Sequence, residues 1–97
     1  MKVEFNPAEL ELMQKAHDKW GLQAQVGLAV DECAELIVAL QKHTNRMQSE
    51  QSLDNVLDEI ADVEIMCAQM RYAFDISDEA LRKRMAEKLA RLATRLK

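Results

Sequence analysis

Seven acidic residues interrupt two apolar runs. Asp31, Glu32 and Glu35 fall within the run from Val26 to Leu40, and Asp58, Glu59, Asp62 and Glu64 within the run from Val56 to Met70. Charges among apolar residues are costly unless paired or bound to a cation. Glu32 and Glu35 are three residues apart, as are Glu59 and Asp62; on a helix each pair shares a face. The two pairs centre on either side of residue 47, so an antiparallel hairpin turning there brings them to one level. Up to four carboxylates then face one another with no base between them. Such a cluster calls for a cation, and an all-oxygen ligand set favours a hard ion, Mg²⁺ above Zn²⁺, with Mn²⁺ as a substitute. Neither Glu32 nor Glu59 has a His three residues on, which speaks against a di-iron centre of the ferritin type.

A second group of residues complements the first. Arg84, Lys88, Arg91 and Arg95 follow one another at spacings of 4, 3 and 4 near the C-terminus, one basic stripe on a helix. Bases together with a carboxylate-held Mg²⁺ point to a polyphosphate ligand.

The elements that position these groups all read as helices. Asn6-Pro7-Ala8-Glu9 is a helix start, with Asn6 as cap and Glu9 as its capping-box partner. Leu10, Met13, Ala16, His17 and Trp20 follow at helical spacing, and Gly21 ends or bends this helix. A second helix is expected from about Leu22 to Lys42, apolar almost all round, and a polar loop from His43 to Ser52. Ser52 is expected to cap a third helix, Leu53 to Ala73. Ser77 caps a fourth, with Asp78 and Glu79 in its first turn and an apolar stripe of Leu81, Met85, Leu89, Leu92 and Leu96. His17 and His43 read as surface or packing residues. The expected architecture is therefore all-α: one domain over residues 1–97, with four helices. Two of these are too apolar for a lone hairpin, so a homo-oligomer, dimer or dimer of dimers, is expected, with the site near the subunit boundary.

Composition narrows the functional classes. Two Gly and one Pro in 97 residues leave little room for the turns of a sandwich or barrel, or for a Gly-rich phosphate loop. With 48% hydrophobic and 31% charged residues the chain fits neither a disordered tail nor a membrane protein. Net charge is −4 and unevenly placed: residues 1–80 carry 16 acids and 6 bases, residues 81–97 one acid and 7 bases. A basic last helix on so acidic a body does not suit nucleic-acid binding. Cys33 and Cys67 lie in apolar runs without CxxC spacing and read as buried, reduced thiols. No secretory signal is visible at the N-terminus, and a cytoplasmic setting is expected.

The local sequences resemble the MazG-like all-α nucleoside triphosphate pyrophosphohydrolases. Trp20-Gly21, Gln25 and Asp31-Glu32-Cys33-Ala34-Glu35-Leu36 are similar to that family's first half, and Asp58-Glu59-Ile60-Ala61-Asp62-Val63 to its second; Lys88 and Arg95 resemble the basic pair of its last helix. The resemblance runs from about residue 17 to the C-terminus. It departs at Asp31, where the family often has Glu, and at Leu92, where some relatives have Asn. What it implies is hydrolysis of a nucleoside triphosphate to monophosphate and pyrophosphate, in the manner of nucleotide-pool housecleaning. Glu32, Glu35, Glu59 and Asp62 would hold Mg²⁺, and a carboxylate among them, Glu35 or Glu59, would serve catalysis. Lys88 and Arg95, with Arg91, would hold phosphates; Gln25 and Trp20 would touch the nucleotide. A phosphoribosyl-ATP pyrophosphohydrolase and a non-catalytic helical oligomerisation module are the alternatives.

Overall fold

The computed structural model describes residues 4–45 and 48–97. They form three helices: α1 (Pro7–Asn45), α2 (Glu50–Ala73) and α3 (Asp78–Arg95). The expected first and second helices are one element, α1, bent at Gly21, whose φ of 86° and ψ of 166° are non-helical. Three elements stand where four helices were expected, because the first two adjoin directly. Two helical stretches meet at a kink at Gly21, whose backbone conformation is one that glycine adopts readily, as expected of a residue that ends or bends the helix.

The caps follow from side-chain chemistry. Glu9 N–H donates to Asn6 Oδ1 at 2.8 Å and Asn6 N–H to Glu9 Oε1 at 2.8 Å, the reciprocal box expected. Ser77 accepts from Ala80 N–H at 3.1 Å and opens α3. The expected 43–52 loop is shorter: α1 reaches Asn45 and α2 begins at Glu50. Ser49 is the N-cap in place of Ser52, and Ser52 closes the capping box from inside the helix. His43 Nδ1 lies 2.7 Å from Ser52 Oγ, which ties the two helices together beside the turn.

Only α1 and α2 pack on each other among the described residues. Their contact is a heptad seam. On α1, Gln25, Ala29, Glu32, Leu36, Ala39 and His43 are buried or half-buried; on α2, Ser52, Val56, Glu59, Val63, Met66, Met70 and Ala73 are. Both sets alternate 3 and 4 residues, the spacing of an antiparallel coiled-coil pair. Beyond the seam, Met13 of α1 and Ala68 and Gln69 of α2 are also buried, but much apolar surface is not covered. Leu22, Ile37 and Leu40 of α1 and Leu53, Leu57 and Ile60 of α2 are exposed and, by helical spacing, share one flank of the hairpin. Cys33 and Cys67 are exposed free thiols on that flank, so the expectation of buried cysteines is corrected: an apolar neighbourhood in sequence placed them on an uncovered apolar face. Helix α3 has no buried residue; Leu89 and Leu96 are 61% and 79% exposed. No helix among the described residues is long and apolar enough to cross a membrane.

Candidate metal centre

Glu32 and Glu59 occupy seam positions, each three residues before a more exposed acid. The register sets Glu32 against Asp62 and Glu35 against Glu59, the level the spacing about residue 47 had implied. One carboxylate oxygen each of Glu32, Glu59 and Asp62 lies within 4.8 Å of the others. Glu35 stands at the exposed edge of this group.

The electrostatics follow from that crowding. Loss of water around Glu32, then the charges of Glu35 and Asp62 and a hydrogen bond with Asp62, push its carboxyl up to about 7. Glu59 is also raised, first by desolvation and then by Glu35 and Asp62. Oε2 of each is buried without a hydrogen-bond partner. Carboxylates that repel one another, with orphaned oxygens turned inward, favour either a shared proton or a cation. The donor set is all oxygen, a chemistry that suits hard cations.

The other residues singled out from the sequence are placed less uniformly. Gln25 lies one heptad before Glu32 in the same seam and is 1% exposed; its Oε1 has no partner. It is therefore packed between the helices rather than open to a ligand in this conformation. Trp20 is 58% exposed, with Lys19 Nζ 5.5 Å from its ring centroid. It lines an apolar groove of about 470 Å³ with Phe5, Leu12, Met13 and Ile65, away from the carboxylates. Lys88, Arg91 and Arg95 are exposed on α3. Since α3 does not pack on the hairpin, the chain does not by itself bring them to the acids. His17 packs edge-on against Tyr72 at 5.4 Å, in keeping with a packing role.

One feature of the site escaped the sequence reading. A cavity of about 370 Å³ opens beside the acids, lined by Glu35 and Glu59 at one end and by Lys42, Ser52 and Asn55 toward the turn. Its only sequence signal is spacing: Glu35 and Lys42 are one heptad apart, as are Ser52 and Glu59. Comparison with protein-family models, with curated proteins and with solved structures yields no match to this chain.

Proposed function

We propose that this protein is a Mg²⁺-dependent nucleoside triphosphate pyrophosphohydrolase. The observation that carries the reading is the convergence of Glu32, Glu59 and Asp62 oxygens within 4.8 Å in a seam where Glu32 and Glu59 are charged only at a penalty. Mg²⁺ held there supplies charge neutralisation for a polyphosphate. Glu35, at the exposed edge, is placed to orient the attacking water and take its proton, since an acid there keeps access to solvent. Water attacks the α-phosphorus, the bond to the bridging oxygen breaks, and pyrophosphate leaves with the electron pair. The family resemblance supports this choice among phosphoryl reactions.

The same reading includes a second copy of the chain. The exposed flank of the hairpin and the apolar stripe of α3 suit a homo-oligomeric bundle, in which Lys88, Arg91 and Arg95 reach phosphates from a neighbouring copy. The test is a panel of ribo- and deoxynucleoside triphosphates with Mg²⁺, resolving the products. Monophosphate and pyrophosphate from at least one member, abolished by EDTA, are expected. Orthophosphate alone, or equal rates in excess EDTA, refutes the reading and leaves a helical assembly module as the better description.

A further inference from the structure

The 370 Å³ cavity is a groove with two unlike ends. At one end are Glu35 and Glu59, at the other Lys42, and Val38 and Ala39 of α1 lie between them. Glu35 and Lys42 are seven residues apart on α1, two turns or about 10 Å along the axis. Asn55 on α2 faces the same space. Lys42 is the one cation among the lining residues, and no ion pair holds it among the described residues. The groove thus presents a cation-attracting end and an anion-attracting end, separated by more than one phosphate group spans. A simple acid or a bare metal ion satisfies only one of them; a divalent-cation complex of a polyphosphate satisfies both.

We infer that this groove seats the polyphosphate chain, and that Lys42 grips its far phosphate from within the same subunit, with Asn55 donating a hydrogen bond on the way. The inference rests on the pyrophosphohydrolase reading and adds a phosphate contact that does not depend on α3. Lysine serves here as a mobile point charge on an exposed stem, which tolerates a ligand of varied length. Val38 lies on α1 between Glu35 and Lys42 and lines the groove, so a larger side chain there would narrow it.

The test uses the full-length chain with inorganic tripolyphosphate as probe, so that no base or sugar preference enters. Calorimetry is run with Mg²⁺ alone and then with tripolyphosphate at saturating Mg²⁺. Wild type is expected to bind both. Lys42→Ala should bind Mg²⁺ alone as wild type does and lose about ten- to a hundredfold in tripolyphosphate affinity, the loss expected for one charge-assisted contact. Lys42→Arg should recover most of it, and Val38→Phe should lose it again. Circular dichroism shows that each variant is folded. If wild type binds tripolyphosphate and Lys42→Ala binds it equally well, the groove assignment is wrong while the metal reading stands. If wild type binds no Mg²⁺, the metal reading falls and the groove assignment with it.

Discussion

At the residue scale, the raised carboxyls of Glu32 and Glu59 predict a pH dependence of stability. The folded-state value of Glu32, about 7, lies above the ordinary 4.5, so between those values the folded chain holds a proton that the unfolded chain releases. Stability therefore falls as pH rises through that window, and the raised Glu59 acts in the same direction. Thermal melts of the metal-free protein should show a higher Tm at about pH 5 than at about pH 8. If the cluster holds Mg²⁺ as proposed, the ion should flatten or reverse this slope, because it would bind the deprotonated cluster with an affinity that rises as the protons leave. Glu59→Gln removes one of the mutually repelling charges. It should raise the metal-free Tm at the higher pH and, on the proposed function, weaken Mg²⁺ binding and abolish turnover. A metal-free Tm that climbs from pH 5 to pH 8, or a Glu59→Gln protein that binds Mg²⁺ as wild type does, would show that the acids do not act as one cluster.

At the element scale, two backbone positions set the geometry of the helices. Gly21 lies at φ 86° and ψ 166°, a region open essentially to glycine alone, with no atom near the place a Cβ would occupy. Gly21→Ala should lower stability by about 1–3 kcal/mol through backbone strain and not through a clash. Asp75 ends α2 in the left-handed region at φ 54°. There Asp75 N–H donates to the Tyr72 carbonyl at 3.2 Å and Ile76 N–H to that of Arg71 at 2.9 Å, the paired bonds of a glycine-type helix end. Asp75→Gly should therefore gain up to about 1 kcal/mol. Urea denaturation at one fixed protein concentration should separate the two variants in opposite directions, and equal effects would contradict the backbone account. The bend at Gly21, the Asn6 and Ser77 caps and the register of the acids were legible in the sequence because each depends on neighbours one or two turns away. The cap at Ser49 was not: Ser49 and Ser52 both suit a helix start, and the choice between them turns on the reciprocal Ser49–Ser52 bonds. Nor was the division of labour among the acids. The heptad through Gln25, Glu32 and Ala39 places Glu32 inside the seam and Glu35 at its edge, whereas the ExxE spacing alone treats them as equivalent. The standing of α3 apart from the hairpin lay beyond local pattern, since an amphipathic stripe shows which face of a helix is apolar and not what packs on it.

At the scale of the whole molecule, one chain does not close its own surface. Its accessible area is 8137 Å², against about 5,700 Å² for a compact monomer of this mass. Its radius of gyration is 15.9 Å, against about 12.5 Å for a globular domain of this length. The surplus of about 2,400 Å² per chain, or about 4,900 Å² for two, falls at the upper end of what obligate homodimers bury. The uncovered residues have the composition of an interface core: Ile37, Leu40, Leu53, Leu57 and Ile60 on one flank of the hairpin, and Leu89, Leu92 and Leu96 on α3. The groove lined by Glu35, Lys42 and Asn55 opens on the other flank by helical spacing, so two hairpins can join through their apolar flanks and leave the carboxylate grooves accessible. Such a pairing would make a four-helix bundle from α1 and α2 of two copies and would give α3 a neighbouring copy to pack on. Light scattering at micromolar concentration should report a dimer or a multiple of it. Leu57→Asp introduces a charge on the apolar flank without touching the seam, where Val56 and Glu59 lie. It should yield a monomer or a poorly soluble chain, with Tm lowered and no longer dependent on protein concentration. Lys42→Ala, on the opposite flank, should leave the assembly intact. A wild-type monomer at that concentration, with Tm independent of dilution, would mean that a single copy tolerates this exposed apolar surface, and the bundle would have to be abandoned.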